Sequence, residues 1–417
     1  MRLQGSGVSA ANAADTGASA SSHRDRRIVV TAVGVTQIFA WGSSYYLPAV
    51  LAKPIAAETG WSLTFVIGGL SLGLVVAGLA SPMVGRTIER LGGRPVLAIS
   101  AVLLAIGLLI LSVAGSLLVY LGAWLVLGLG MGAGLYDPAF ATLGRLYGQA
   151  ARPAITAVTL FGGFASTVCW PLSAFLEAKL GWRETCVIYA MLQLLMALPA
   201  HIWALPREES AKGLGPGNAG AAAPVADGRS GVGIFVLLAT VITLGSVLST
   251  VISVHLLAVL QARGIALAAA VGLGALVGPS QVGARTIEMF VARFHHPIWT
   301  KLVSTFCVAL GLLLLWNGIP IISIALVFYG AGIGLESIAR GTLPLAIFGA
   351  AHYPAIMGRI ARPSLLAQAA APTIAAALIE AVGIDGMLAA LVFAAIGNTV
   401  LTALLFLLLR SRFPPFP

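Results

Sequence analysis

The sequence predicts an all-α membrane protein of twelve transmembrane helices, arranged as two parallel-related six-helix halves. Three observations predict it. Of the 417 residues, 59% are apolar and only 9% are charged, a composition far outside the soluble globular range. Twelve stretches are apolar over enough length to cross a hydrocarbon layer, a layer about 30 Å thick that takes roughly 20 helical residues because backbone amides there bond only within the helix. Motifs of the first six stretches also recur in the last six at nearly one offset.

Residues 1–27 are rich in Ala, Ser and Gly, with Arg24, Arg26 and Arg27 beside the first span. They hold too few large apolar groups to fold alone, so a disordered cytoplasmic tail is expected. Without the short apolar core and cleavage box of a secretory signal, the first span should be kept as an anchor. An N-terminal half over 28–205 carries spans near 28–52, 62–85, 95–114, 117–142, 153–178 and 183–205. Residues 206–231, with Arg207, Glu208, Glu209, Lys212, Gly215, Pro216, Gly217 and an alanine run, are the longest polar interruption and read as a cytoplasmic linker. A C-terminal half over 232–410 carries spans near 232–260, 266–290, 298–316, 319–344, 356–381 and 386–410, and 411–417 form a short cytoplasmic tail.

The formal charge of +10 is scattered one to three basic residues per loop, not gathered in the stripe that nucleic acid requires. With the N-terminus cytoplasmic, the opposite loops hold only Lys53, Lys179, Arg183 and Arg263 of the 24 Lys and Arg, leaving 20 for the cytoplasmic side and the helix ends beside it. That bias places both termini in the cytoplasm of a bacterial-type inner membrane. Cys169, Cys186 and Cys307 lie within apolar stretches and read as packing residues, with no metal site or disulfide framework expected.

The repeat is explicit. Arg86-Thr87-Ile88-Glu89 recurs as Arg285-Thr286-Ile287-Glu288, an offset of 199. Gly130, Gly132, Gly134, Leu135, Ala139, Thr142 and Leu143 recur at Gly330, Gly332, Gly334, Leu335, Ala339, Thr342 and Leu343, an offset of 200. Pro153-Ala154-Ile155 and Pro171 recur as Pro354-Ala355-Ile356 and Pro372, an offset of 201. Six spans separate equivalent positions, so the halves share one orientation and an axis along the membrane normal. Halves related in this way can rock about a site between them, and the 49 glycines allow close helix approach where lipid supplies no hydrophobic drive.

After the second span the chain reads Gly85-Arg86-Thr87-Ile88-Glu89-Arg90-Leu91-Gly92-Gly93-Arg94-Pro95-Val96-Leu97. This resembles the signature of the major facilitator superfamily, matched at Gly85, Glu89, Arg90, Gly92, Arg94 and Leu97, with Glu for the usual Asp and Gly93 where a basic residue is common. The resemblance covers about residues 28–410. It implies the major facilitator fold and a gate in which Glu89 and Arg90 latch the halves with Asp137, placed at the cytoplasmic end of span four. The alternative is that Arg86, Arg90 and Arg94 only enforce topology. Gly60-Trp61-Ser62 and the Gly/Ser/Leu-rich second span resemble the branch holding monocarboxylate porters and oxalate/formate exchangers. That branch carries an acid and an arginine four apart on span eight. Here Arg285 stands at the arginine and Gln281 at the acid, which leaves an anion site at Arg285 open beside a second gate formed with Glu288.

Ionisable groups inside spans are expensive and mark function by default. Glu336 and Arg340, four apart on span ten, can pair with each other or open toward substrate. Asp137 can be a protonation site or part of the latch. Gln37, Trp41, Tyr45 and Tyr46 form a stripe on span one, and Tyr136, His255, Gln281 and Gln368 add hydrogen-bonding groups. No nucleotide loop, metalloprotease spacing or serine elbow is present.

The expected function is secondary transport by alternating access, with no catalytic residues, cofactor or metal. Substrate is expected at Gln37, Trp41, Tyr45, Tyr136, Gln281, Arg285 and Gln368. Gating is expected from Gly85, Glu89, Arg90, Gly92, Arg94, Asp137, Glu288, Glu336 and Arg340. A small organic anion leads as substrate, with efflux of a drug-like compound as one alternative and a transporter-like sensor as another. The expected protein is a monomer in the bilayer, and a co-transported proton is a candidate for coupling.

Overall fold

The computed structural model describes residues 26–207, 229–318 and 322–410, nearly all of them helical. The expected tails and linker fall, apart from their edges, outside the described residues. Helices run in the order α1 (26–42), α2 (Leu47–Thr59), α3 (Leu63–Leu91), α4 (Gly93–Ser112), α5 (Leu117–Gly134), α6 (Tyr136–Tyr147), α7 (Arg152–Gly163), α8 (Ala165–Leu180), α9 (Trp182–Leu192) and α10 (Leu198–Ala204). They continue as α11 (Arg229–Ala262), α12 (Leu267–Gly274), α13 (Val277–Val291), α14 (Pro297–Trp316), α15 (Ile322–Phe348) and α16 (Tyr353–Arg410).

Length turns these helices into twelve crossings. Straight, the 58 residues of α16 would reach about 87 Å at 1.5 Å per residue, nearly three hydrocarbon thicknesses. The chain doubles back at Gly383, where φ is 75°, a left-handed conformation that favours glycine. The apolar run Leu117–Leu180 likewise folds over the 3₁₀ turn Gly148–Ala151, with φ of 57° at Gly148. Spans one, four, five, six and eight are each built from two helices, α1 with α2, α5 with α6, α7 with α8, α9 with α10, and α12 with α13.

The duplication is visible in the backbone and in the ion pairs. Left-handed glycines close corresponding turns at Gly148 and Gly349, and at Gly181 and Gly383. At one rim, Arg183 bonds Glu58 Oε1 at 2.9 Å and the Ser112 carbonyl at 2.8 Å. In the other half Arg263 bonds Asp385 at 2.7 Å and the Trp316 carbonyl at 2.8 Å. The same brace is kept with its charges exchanged. We call this rim the far face, and the one where the described chain begins and ends the terminal face.

The halves meet along α3 against α16, and along α7 and α6 against α13, α15 and α16. Glycine permits the first seam: a Cβ on Gly85 would strike the Pro354 carbonyl, and one on Gly358 the Ser81 carbonyl. Large apolar side chains such as Leu118, Trp203 and Phe393 point outward, as a lipid-facing surface requires. The second span was expected to end near residue 85. Instead α3 continues to Leu91, because the charged motif residues sustain the helix beyond the apolar stretch, and Gly92 makes the turn with φ of 85°.

Candidate transport site and gate

Four spans break near their middles: span one at 43–46, span four at Leu135, span five at Phe164 and span eight at Ala275 and Leu276. Breaks at membrane depth need partners for the backbone groups they release. In span four, Pro138 has no N–H to offer the carbonyl of Gly134, four residues before it. The amide of Gln37 fills that vacancy, donating from Nε2 to Gly134 O at 2.6 Å. Its other end accepts from Trp41 Nε1 at 3.1 Å. Gln37 is thus buried and held between α1 and the break in span four.

Around this strut Trp41 gathers aromatic rings. Its centroid lies 5.2 Å from Tyr45, 5.9 Å from Tyr46 and 4.9 Å from Tyr136, and Tyr136 stacks on Phe140 at 5.1 Å. The Tyr136 hydroxyl donates to the Thr159 carbonyl on α7 at 3.4 Å. Arg285 reaches the same carbonyl from the other half, its Nη1 donating at 3.0 Å. Its Nη2 donates to Gln281 Oε1 at 3.2 Å and its Nε to Gly334 O at 3.3 Å. The side chain is 4% exposed, and among the described residues no carboxylate pairs with it. The space it fills exists because residue 163 is glycine, where a Cβ would collide with Nη1. Carbonyl dipoles and an amide therefore carry a full buried cation.

Tyr45 faces Thr250 across the seam, and Thr250 Oγ1, which donates to the Ser246 carbonyl at 2.9 Å, lies 3.4 Å from Gln368 Oε1. Gln368 in turn donates to Ser364. These contacts join the first-span stripe to α11 and α16. His255 meets the Pro372 carbonyl at 3.3 Å, a packing contact on the C-terminal side.

The residues expected to form the gate separate into tiers below this site. Deepest, Arg340 on α15 grips Asp137 on α6 at two points, Nε to Oδ1 and Nη2 to Oδ2, both 2.8 Å. Its Nη1 donates to Ser246 and Ser364 at 2.9 and 3.0 Å. Glu336, expected as a partner of Arg340, turns instead to Lys301 on α14 and to Ser304 at 3.0 Å. One helical turn lets Glu336 and Arg340 face different neighbours, and each finds a better-aligned opposite charge on another helix. Charges then alternate Lys301, Glu336, Arg340, Asp137 across spans nine, ten and four. Asp137 also lies deeper than expected. Span four runs on to Tyr147, so the carboxylate sits about 15 Å from that end by helix rise, in the favourable first turn of α6.

Nearer the terminal face, Glu288 does not pair with Arg285. It accepts from Thr300 at 2.6 Å and meets Arg152 at 3.5 Å and His295 at 3.4 Å. Arg152 belongs to the other half, so this contact bridges the seam. At the rim Glu89 meets His352 at 2.8 Å, again across the seam, while its carbonyl accepts from Arg145. Gly85 lies in the glycine contact described above. Arg90 is exposed at the same rim and Arg94 is half-buried in the first turn of α4.

Lys301, Arg152, His295 and Thr159 escaped the sequence reading. Lys301 stood at a span start, where a cation reads as a topology signal. The other three are ordinary residues until the seam brings them together.

Comparison with known proteins agrees with this fold. A family model described as Major Facilitator Superfamily matches residues 33–294. The mouse protein named monocarboxylate transporter 11 is 34% identical over 119 residues, 28% of this chain and 26% of its own. The match thus spans about a quarter of that curated relative's length. Among solved structures, the human organic anion transporter MFSD10 (TETRAN) superposes with a TM-score of 0.73 at 17% identity, over 90% of this chain and 99% of that one. The proton:xylose symporter XylE bound to 6-bromo-6-deoxy-D-glucose superposes with a TM-score of 0.68 at 14% identity, over 94% and 95%.

Proposed function

Because the chain belongs to the major facilitator superfamily, we propose that it is a secondary transporter that carries a small organic anion through the membrane by alternating access. The observation that carries this reading is Arg285, a buried cation that among the described residues is answered only by carbonyl and amide oxygens. An anionic substrate would supply the absent charge. It would also compete with the Thr159 carbonyl for Nη1, loosening the tie between α7 and α13. Substrate would thereby bind one state of the seam differently from the other, which is what a ligand needs in order to shift a conformational equilibrium. Trp41, Tyr45 and Tyr136 would pack the organic part, with Gln281 and Gln368 orienting it. The names of the mouse relative and of the human transporter are consistent with the same substrate class.

In this reading the terminal face is cytoplasmic, following the Lys and Arg bias, and it is closed by Asp137 with Arg340, Arg152 with Glu288, and Glu89 with His352. Opening it parts Asp137 from Arg340 and leaves the carboxylate without its paired charge. A void of about 10 Å³ abuts Asp137, roughly the space one water needs. Asp137 is therefore the proposed proton carrier. The membrane is proposed to be a bacterial-type inner membrane, the working unit a monomer, and the domain division the one drawn at residues 206–231.

Counterflow in proteoliposomes tests the substrate class. Labelled lactate, pyruvate, oxalate and formate are offered against the same unlabelled anions, and saturable exchange that vanishes in Arg285→Gln is expected. No exchange with any carboxylate by the wild type overturns the anion reading. The aromatic group of Trp41, Tyr45, Tyr46 and Tyr136 favours a second reading, efflux of an amphipathic compound, and energised extrusion of a fluorescent dye would then be seen instead.

A further inference from the structure

A cavity of about 360 Å³ opens where the two halves meet at the terminal face. Gln149 and Arg152 line it from the first half, and Arg293, His295 and His296 from the second. None of these residues belongs to the Arg285 site. The charge of Arg152 is poorly answered here. Its Nη2 is 3.5 Å from Glu288 Oε1, an oxygen already held at 2.6 Å by the Thr300 hydroxyl. Its Nη1 donates to the His295 carbonyl at 2.5 Å, and among the described residues no acceptor reaches its buried Nε. Arg293 lies across the Phe294 ring at 4.6 Å, exposed to the cavity mouth. Two long helices begin at the cavity wall, α7 at Arg152 and α14 at Pro297, adding the positive ends of their dipoles.

We propose that this cavity is a regulatory site for a phosphate-bearing anion, and that its occupancy holds the terminal face closed. The donors stand on opposing walls. A carboxylate spends both oxygens on one guanidinium fork, whereas a phosphoryl group offers further oxygens and a larger charge and can bridge two forks at once. Since the walls belong to different halves, the complete site exists only while the halves are together. A ligand that binds one conformation better raises its population, and the coupling is reciprocal. Such an anion would restrain opening without entering the transport path. The inference does not depend on what substrate the central site takes.

A free phosphoryl compound and an anionic lipid headgroup share this chemistry, and one experiment separates them. Pyrophosphate is titrated calorimetrically into protein held in phosphatidylcholine nanodiscs, while spin labels on Arg86→Cys and Ala351→Cys in a cysteine-free background report the width of the terminal face. Both positions are exposed. Saturable binding with a several-fold rise in the narrow-distance population is expected. Arg293→Gln, a surface change, should weaken binding at least 10-fold and leave the distances without pyrophosphate unchanged. In phosphatidylglycerol nanodiscs, retained binding assigns a soluble ligand. Lost binding with an already raised closed population assigns the headgroup. Equal affinity in wild type and Arg293→Gln overturns the proposal, as does the absence of both pyrophosphate binding and a phosphatidylglycerol effect.

Discussion

Arg340 holds both carboxylate oxygens of Asp137 at 2.8 Å across the seam between the halves. Each side chain is nearly buried, at 12% and 13% exposure. Removing one member of a buried pair typically costs about 3–5 kcal/mol, much of it the penalty of the charge left behind. Asp137→Asn should therefore shift the population toward an open terminal face, read as longer distances between labels at positions 86 and 351. If Asp137 carries the coupled proton, the same variant also loses the dependence of uptake on an imposed pH gradient. The double change Asp137→Asn with Arg340→Gln should restore much of the closed population without restoring coupling. Unchanged proton dependence in Asp137→Asn removes this residue from the mechanism.

Lys301 presents a related case with a different readout. Its side chain is completely buried beside Glu336, and both belong to the second half. The pair therefore acts on the stability of that half, not on the seam. Lys301→Met should lower the thermal unfolding midpoint in detergent, with a loss on the order of 3–5 kcal/mol. Lys301→Met combined with Glu336→Leu should recover most of it, since replacing both charges leaves neither orphaned. A single variant as stable as wild type contradicts the buried pairing.

The spans and the duplication were legible in the chain because both are local properties. Hydropathy needs only composition over about 20 residues, and the repeated glycines, prolines and Arg-Thr-Ile-Glu motif need only comparison of two segments. Pairing was not legible in the same way. Glu336 and Arg340 are separated by one helical turn and share a helix, so proximity in sequence suggested a bond between them. Their partners lie 35 and 203 residues away, a choice made by helix packing. Arg285 could be singled out by the branch resemblance and the repeated motif, but not the Thr159 carbonyl that ties it to the other half. A backbone acceptor carries no signature in the residue type.

The fit of Arg285 rests on residue 163, which allows a prediction that leaves every charge in place. A methyl group there would collide with Nη1, and the far end of a flexible arginine can move away at little cost in folding. What is lost is the position from which the guanidinium would meet substrate, together with the 3.0 Å bond to Thr159 that substrate must itself displace. Gly163→Ala should fold normally and raise the half-saturating substrate concentration about 10-fold, equivalent to roughly 1.4 kcal/mol. Arg285→Lys retains charge but not the three-point grip and should impair binding more. Wild-type affinity in both variants would place the anion elsewhere.

His296 supplies a pH prediction at the loop before α14. Burial, with Arg152 and His295 nearby adding repulsion, pushes its imidazole down to about 4 from an ordinary 6.5. The neutral ring caps α14, its Nδ1 accepting from Ile298 N–H at 3.3 Å. With the folded value depressed, the unfolded chain binds the proton first. The contribution to stability is complete above pH 6.5 and is lost as pH falls toward 4. Amide exchange at residues 298–300 should therefore accelerate, after correction for intrinsic rates, between pH 6.5 and 4.5. His296→Gln should flatten that dependence, and an identical profile in wild type and variant would exclude the histidine.

Gly85 offers the most direct test of how the seam closes. The helices α3 and α16 approach so nearly that a Cβ on Gly85 would meet the Pro354 carbonyl and the Cα of Gly358. Both obstacles are backbone, which cannot swing aside as a side chain does. Gly85→Val must therefore separate the helices at the terminal face and carry Glu89 away from His352. The far-face braces of Arg183 and Arg263 lie within single halves and should survive, so the protein remains folded while its terminal face stays open. Labels at positions 86 and 351 should show a widened distance that substrate no longer alters, and counterflow should fall to background. If Gly85→Val instead exchanges substrate at the wild-type rate with an unchanged distance distribution, close approach of these glycines is not what closes the gate.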